Sequence, residues 1–275
     1  MSLPAVPATV ASQALPSRVV VETFGSGRMD LVLIHGWAMH GGIFAGLADE
    51  LAQRFRVHVV DLPGHGHADG FRAGMLDPRA CADVIAELTP PAIWIGWSLG
   101  GLVAMHAALT RPNHVRGLVA LAASPCFVSN NDWAHGVQAS VFDAFATALE
   151  TDHAQAIERF LALETLGSPQ AHDELRALKH AVFTRGEPDR AALREGLHVL
   201  QRTDLRRDLA SLAVPNLWIG GRRDRLVPAA AMRWAAQSNA QGRHLEFASG
   251  HAPFLSATAA VAAAIGAFAT GTGRS

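Results

Sequence analysis

One serine of this chain lies between two glycines, in the sequence Gly96-Trp97-Ser98-Leu99-Gly100. The pattern G-x-S-x-G, placed after a strand and before a helix, is typical of a strained turn that presents a serine hydroxyl as a nucleophile. Side chains at the two flanking positions would collide with neighbouring elements, which explains the glycines. On its own, the pattern also fits a serine that caps a helix.

A serine hydroxyl becomes a good nucleophile only when a base takes its proton and a third group orients that base. Asp224 follows the apolar run NLWIGG, and His251 follows the run HLEFA. The chain order Ser, Asp, His at three strand ends is that of α/β-hydrolases. We predict Ser98 as the nucleophile, His251 as the base and Asp224 as its orienting group. Taken singly, Asp224 could pair with the adjacent arginines and His251 could be a structural loop histidine.

The residues His35-Gly36-Trp37 directly follow another apolar run, LVLI. In this fold, the loop at that place supplies one backbone N–H to the oxyanion, and the residue after the nucleophile supplies another. We therefore predict an oxyanion hole made by the backbone N–H groups of Trp37 and Leu99. The side chain of Trp37 could instead serve only to fill the core.

The loop DLPGHGHADG spaces His65, His67 and Asp69 alternately, as metal ligands sometimes are. It offers no fourth ligand at a recognisable spacing, and its glycines and proline favour a turn beside the active-site face. The sequence also has no phosphate-binding loop and no G-x-G-x-x-G after a strand. We expect no metal and no other cofactor.

Strands and helices alternate along most of the chain. Apolar runs predict strands over 18–24, 31–36, 91–96, 115–124, 214–221 and 243–248, with a further strand in RVHVVD. The segment GSGRMD between the first two runs predicts a hairpin-like turn. Such alternation predicts an α/β-hydrolase fold, with a mostly parallel central sheet and helices on both faces.

Residues 130–205 interrupt this rhythm, because they contain no buried strand pattern and are helical over 140–165 and 171–183. We predict a flexible tail over 1–17, an α/β-hydrolase core over 18–126 and 206–275, and an inserted helical cap over 127–205. The Ala-rich stretch 257–269 is too short for a membrane span and fits a last helix packed on the core.

The composition narrows the classes of partner. The chain has 275 residues, 49% of them hydrophobic and 17% charged, with a formal net charge of −1. This balance argues against binding nucleic acid or an anionic membrane surface. Cys81 and Cys126 lie far apart, as in proteins of a reducing compartment. Pro4, Pro7 and Pro16 interrupt the N-terminal tail, which lacks the basic start of a secretory signal. We expect a cytoplasmic monomer.

Several segments together resemble the BioH family of pimeloyl-[acyl-carrier protein] methyl ester esterases of biotin synthesis; they are LVLIHGW, VVDLPGHG, IWIGWSLGGLVA, SPCF, ERFLAL, DRLVP and HAPF. The resemblance covers about residues 18–268. It implies that Ser98 attacks the methyl ester of a pimeloyl chain, releasing methanol and freeing the distal carboxylate. General short-chain carboxylesterases and carbon–carbon bond hydrolases share the fold, and a ligand-binding protein without activity is a third alternative.

The resemblance also implies an acidic partner, an acyl carrier protein, which docks on basic residues of the cap. Arg176 and Lys179 lie on one face of a predicted helix, and Arg159 is a further docking residue. Phe160 would line the acyl channel, with Trp37 and Leu99 next to the substrate. Gln155 and His172 stand where the family has further arginines, which implies weaker electrostatic steering. The alternative is a solvated helix face, because segment 150–210 carries eleven acidic and nine basic residues.

Overall fold

A seven-stranded sheet forms the centre of the protein. The computed structural model describes residues 19–272, so the predicted tail over 1–17 lies outside the described residues. The strands are β1 Val20–Phe24, β2 Asp30–Ile34, β3 Arg56–Asp61, β4 Ala92–Trp97, β5 Val115–Leu121, β6 Asn216–Gly221 and β7 Gly242–Phe247. They lie in the order β1-β3-β2-β4-β5-β6-β7, and only β1 runs antiparallel to its neighbour.

The predicted hairpin between the first two strands is wrong. β1 pairs with β3, with Val21 opposite Val60, and β3 separates β1 from β2. The burial of the strands explains this order. β2 is buried along its whole length and lies inside the sheet, whereas β1 is only partly buried and forms an edge. An edge strand tolerates the polar side chains of Glu22 and Thr23, which a central strand would have to bury.

Helices cover both faces of the sheet, as predicted. They are α1 Ala45–Ala52, α2 Pro78–Leu88, α3 Leu99–Thr110, α4 Ala139–Thr151, α5 His153–Thr165, α6 Ala171–Val182, α7 Arg190–Arg202, α8 Ala229–Gln237, α9 Pro253–Ser256 and α10 Thr258–Thr272. α10 packs against α1, and α2 packs against α3. The central strands are continuous apolar runs because both of their faces are buried. Among the described residues, no helix is long and apolar enough to cross a membrane.

Four helices, α4 to α7, connect β5 to β6, and we call them the cap helices. The predicted helical stretch 140–165 is two helices, because Asp152 ends α4 and caps α5, with its carboxylate accepting a hydrogen bond from the amide of Gln155 at 3.0 Å. Helix α7 was not predicted. It begins after Asp189, whose carboxylate accepts the amides of Ala191 and Ala192. The domain division at residues 127 and 205 remains our proposal.

Arg185, in the connection between α6 and α7, fastens the cap helices to the sheet. Its guanidinium contacts the carboxylates of Asp61 at 3.1 Å and Glu22 at 2.6 Å, and we call these three residues the Arg185 cluster. Asp61 is buried and also accepts the amides of Gly41 at 2.6 Å and His67 at 2.9 Å. Burial acts to raise the pKa of Asp61, but the hydrogen bonds of these amides and the charge of Arg185 lower it, and the pKa lies below its ordinary value. The cluster thus holds an ionised carboxylate beneath the cap helices.

Candidate active site

Ser98 occupies the sharp turn between β4 and α3. Its backbone has φ +53° and ψ −117°, a conformation that side-chain-bearing residues rarely adopt. A Cβ at Gly96 would lie 2.2 Å from the carbonyl oxygen of Gly100, and a Cβ at Gly100 would lie 2.4 Å from that of Ile34. Any larger residue at position 96 or 100 would therefore clash with the backbone, as predicted from the sequence. Gly101, which the sequence analysis did not single out, is equally confined, because its Cβ would meet that of Ala123 at 2.2 Å.

His251 and Asp224 form a buried pair at the carboxyl ends of β7 and β6. The Nδ1 atom of His251 lies 2.7 Å from Oδ2 of Asp224, and both side chains are inaccessible to solvent. The other oxygen of Asp224 accepts the amides of Leu226 at 2.8 Å and Val227 at 2.9 Å. Burial lowers the pKa of His251, but the charge and hydrogen bond of Asp224 outweigh burial and leave that pKa raised. Within residues 19–272, Asp224 forms no ion pair with a neighbouring arginine.

Trp97, the residue before Ser98, joins the serine turn to the histidine loop. Its indole N–H donates to the backbone carbonyl of His251 at 2.9 Å, and the two rings lie 5.8 Å apart. The hydroxyl of Ser98 and Nε2 of His251 are both buried, and neither is hydrogen-bonded to another described atom. Catalytic hydrogen bonds are often long before substrate binds. Trp97 thus links the turn that carries Ser98 to the loop that carries the Asp224–His251 pair, while no hydrogen bond joins Ser98 to His251 in the described chain.

The two predicted oxyanion donors lie on either side of Ser98. Leu99 is the first residue of α3, where amides have no partner inside the helix. On the other side, a Cβ at Gly36 would lie 3.1 Å from Cβ of Ser98, so the loop that carries Trp37 packs directly against Ser98. Ala38 follows with φ +61°, which turns this loop sharply. The arrangement fits the predicted oxyanion hole, which remains a proposal.

His35 and His65 form a buried pair that supports the loop after β2. His65 belongs to DLPGHGHADG, the segment whose alternating polar residues could have suggested a metal site. His35 is fully buried; its Nδ1–H donates to the carbonyl of Gly36 at 2.8 Å, and its Nε2 accepts the amide of Leu62 at 2.9 Å. His65 lies 5.3 Å from His35, ring to ring. Burial lowers the pKa of His35 to about 3 and that of His65 to about 4, so both are neutral. No group of possible metal ligands occurs among the described residues.

Aromatic side chains lead from the cap helices to the serine turn. The indole of Trp37 donates to the carbonyl of Leu193 on α7 at 2.8 Å, and its ring lies 4.5 Å from that of Phe160 on α5. Phe160 in turn lies 5.2 Å from Phe145 on α4. Phe145 lines a groove of about 460 Å³ on the surface of the cap helices; its lining residues are Ser140, Val141, Ala144, Phe145, Ala148, Arg159 and Leu163. Trp37 therefore does more than fill the core, because it connects the loop after β2 to the cap helices.

Glu164, near the end of α5, belongs to the site and was not predicted. Its side chain is 1% exposed, and Oε1 lies 4.0 Å from Nε2 of His251. Its backbone carbonyl accepts the amide of His251 at 3.0 Å. The only signal in the sequence was its spacing, because it follows Phe160 by four residues and shares the same helix face.

The predicted docking residues differ in their surroundings. Arg176 pairs with Asp173 at 2.9 Å, and Lys179 pairs with Glu158 at 3.0 Å, and all four side chains are exposed. Arg159 lines the groove beside Phe145 and has no ion pair in the part of the chain that the structure describes. Gln155 and His172 are exposed on α5 and α6. Arg159 is therefore the predicted docking cation that no carboxylate of the cap helices neutralises.

A mostly parallel sheet, a strained serine turn after β4, and an Asp–His pair after β6 and β7 are the features of the α/β-hydrolase class of enzymes. The alpha/beta hydrolase family profile matches residues 31–264, and the chain belongs to that family.

Curated relatives define its position within the family. A protein of Xanthomonas oryzae pv. oryzae named pimeloyl-[acyl-carrier protein] methyl ester esterase is 52% identical over 236 residues, which cover 86% of this chain and 92% of that protein. A protein of the same name from Stenotrophomonas maltophilia is 50% identical over 91% of this chain and 96% of its own length. The resemblance predicted from the sequence is confirmed.

Solved structures show the same fold at low identity. An esterase from Exiguobacterium antarcticum superposes with a TM-score of 0.82 at 22% identity, covering 92% of this chain and 95% of that one. An enol-lactonase from Burkholderia xenovorans has a TM-score of 0.78 at 19% identity, covering 92% and 96%. These two similarities establish the fold and leave the substrate to other arguments.

Proposed function

We propose that this chain is a serine carboxylesterase that hydrolyses the methyl ester of pimeloyl-[acyl-carrier protein] and frees the distal carboxylate for biotin biosynthesis. The observation that carries the proposal is the half-identical sequence of relatives with that name over more than 85% of the chain. The buried Asp224–His251 pair beside the Ser98 turn supplies the chemistry. We further propose a cytoplasmic monomer that needs no cofactor.

The mechanism follows from the positions of the three side chains. Nε2 of His251 takes the proton of Ser98, whose Oγ bonds to the carbonyl carbon of the methyl ester. The amides of Trp37 and Leu99 stabilise the oxyanion, and each such donor contributes about 3 kcal/mol. When the C–O bond breaks, His251 returns the proton to the methoxide, and methanol leaves. His251 then deprotonates a water molecule, which attacks the acyl carbon, and the imidazolium returns this proton to Oγ of Ser98 as the acyl–oxygen bond breaks.

The cap helices provide the apolar side of the substrate site. Phe160 and Trp37 lie in ring contact at 4.5 Å next to the serine turn, and we assign them, with Leu99, to binding the pimeloyl chain. A seven-carbon chain gains favourable free energy from such a surface, at roughly 0.8 kcal/mol per buried CH₂. The methyl leaving group is small, so depth is needed only on the acyl side.

The carrier protein, in this proposal, docks on cations of the cap helices. Arg159 is the strongest of the predicted residues because it has no ion pair within residues 19–272 and lines the groove whose Phe145 is in ring contact with Phe160. Arg176 and Lys179 would have to exchange Asp173 and Glu158 for carboxylates of the carrier. Because such contacts are exposed, they should act mainly on the rate of encounter and weaken with salt.

Turnover of purified pimeloyl-carrier methyl ester tests the proposed function directly. The wild type should release the free acid and Ser98→Ala should not, and a strain that lacks its own esterase should grow without biotin when it carries the wild type. Turnover of p-nitrophenyl esters without turnover of the carrier ester would favour a general carboxylesterase. Equal rates for wild type and Ser98→Ala on both substrates would favour a binding protein without activity.

Charge reversal tests docking separately. Arg159→Glu should raise KM for the carrier-bound ester about tenfold and leave p-nitrophenyl acetate turnover within twofold of the wild type. Arg79→Glu, on the exposed part of α2, is the matched control and should change neither. An unchanged KM for Arg159→Glu would contradict docking at this groove.

A further inference from the structure

Glu164 places a second carboxyl group beside the imidazole of His251. Asp224 contacts Nδ1 at 2.7 Å, while Oε1 of Glu164 lies 4.0 Å from Nε2, on the side that must exchange protons with Ser98. Both oxygens of Glu164 are buried, and neither is hydrogen-bonded within residues 19–272. The backbone of Glu164 holds the same histidine, because its carbonyl accepts the amide of His251 at 3.0 Å.

The surroundings of Glu164 disfavour its ionised form. A carboxylate buried without hydrogen bonds pays a large desolvation penalty, and a neutral carboxyl pays far less. The titratable side chains near it are His251, Asp224 beyond the imidazole, and Glu174 on α6, whose Oε1 is bonded to Ser168 at 2.8 Å. No lysine or arginine of the described chain pairs with Glu164. Burial raises the pKa of Glu164 to about 8; His251 acts against this rise, and Asp224 adds to it.

Two ionised carboxylates, one at each ring nitrogen, would stabilise the imidazolium form of His251 strongly. A histidine that already carries this proton cannot accept the proton of Ser98, and the first step of the mechanism would fail. A neutral carboxyl at the same place leaves Nε2 free as an acceptor. His251 must be unprotonated at Nε2 to act as the base, and Glu164 must therefore be uncharged.

We propose that Glu164 is a positioning residue that works as a neutral carboxyl, so that His251 stays unprotonated and available as the base at neutral pH. The proposal rests on the Ser98, His251 and Asp224 triad of the proposed function. It does not depend on the carrier-bound substrate, so the two can fail separately.

The test is the pH profile of kcat/KM for p-nitrophenyl acetate from about pH 5 to about pH 10. Activity should fall on the acid side as His251 takes up a proton, and the midpoint of this acid limb reports the pKa of His251 in the free enzyme. Glu164→Gln has the same shape and stays neutral, so it should stay within about threefold of the wild type at pH 7, with an acid limb within about 0.3 pH unit of the wild-type limb. Glu174→Gln removes a nearby buried carboxyl that makes no hydrogen bond or ion pair with His251 in the described chain, and it should leave the acid limb unmoved as well.

Two results would overturn the proposal. One is an acid limb that lies about one pH unit or more lower in Glu164→Gln than in the wild type, because removal of a negative charge beside His251 lowers the pKa of its imidazole. The other is a folded Glu164→Gln protein that is about a hundredfold slower at pH 7, because this would mean that the carboxylate form is required. If the variant does not fold, the infrared spectrum of the wild type decides: a protonated-carboxyl band should be present at pH 7 and lost by about pH 10. Absence of that band at pH 7 would also overturn the proposal.

Discussion

Replacing Arg185 by methionine should destabilise the protein far more than an exposed substitution would. The change keeps most of the apolar stem and removes the guanidinium that contacts Asp61 at 3.1 Å and Glu22 at 2.6 Å. Asp61 is 1% exposed and would remain as a buried carboxylate without its cation. Breaking a buried pair in this way typically costs 3–5 kcal/mol, and the partial exposure of Arg185 argues for the lower end, about 3 kcal/mol.

Urea unfolding at pH 7 measures this cost, and a thermal melt should show a Tm about 6–12 °C lower for a chain of this size. Arg194→Met is the matched control, because Arg194 pairs with Glu150 on the surface of the cap helices. Such an exposed pair contributes less than about 1 kcal/mol.

The sign of the pH dependence gives a second check. Arg185 helps lower the pKa of Asp61 against burial, so this stabilisation is present above the ordinary carboxyl range and is lost as the pH falls through the folded pKa. Without Arg185 that pKa rises, and Asp61 becomes protonated on mild acidification. The deficit of Arg185→Met should therefore shrink between pH 7 and about pH 5.

A double-mutant cycle with Asp61→Asn can refute the reasoning. If Arg185 stabilises the fold by neutralising Asp61, the double variant should be more stable than the sum of the two single losses, by 1 kcal/mol or more. Additive losses, within about 0.5 kcal/mol, would mean that the two side chains act independently.

Two further predictions concern the site itself. Asp224→Asn should lower kcat about 10⁴-fold on p-nitrophenyl acetate, because the amide can hold His251 in the wrong tautomer. Asp224 also raises the pKa of His251 against burial, so the acid limb of the remaining activity should move to lower pH. An acid limb at the wild-type pH would contradict this assignment. Gly100→Ala should fail to fold or melt many degrees lower, because its Cβ would lie 2.4 Å from a backbone oxygen. Gly46→Ala is the control: it lies on the exposed side of α1 with a nearest neighbour at 3.7 Å, and it should stabilise the protein by about 0.5–1 kcal/mol. Equal melting temperatures of the two variants would contradict the steric argument.

The strands and the residues that directly follow them could be predicted from the local sequence pattern. Ser98, Asp224 and His251 each follow an apolar strand pattern, and parallel strands bring such positions to one edge of a sheet. The order of the strands was harder, because GSGRMD is as compatible with a crossover as with a hairpin. The observed pairing of β1 with β3 depends on which strand the tertiary fold can leave at an edge.

The missed features depend on contacts distant in sequence. Glu164 differs from any glutamate of an amphipathic helix only through its position against His251, 87 residues later in the chain. Lys179 was predicted as a free docking cation, yet it meets Glu158 of a neighbouring helix, a pairing that helical periodicity within α6 cannot reveal. Helix α7 could have been found from its Asp189 cap and the spacing of Leu193, Leu197 and Leu200.

The positive φ of Ser98 destabilises the folded protein at the residue that we propose as the nucleophile. A non-glycine residue at φ +53°, ψ −117° costs about 1–3 kcal/mol, and glycine would relieve most of that strain. Ser98→Gly should therefore melt higher than the wild type while losing all esterase turnover. Selection of variants for heat resistance alone would therefore favour replacement of the predicted nucleophile, Ser98. Selection for turnover as well is needed to keep a serine at position 98.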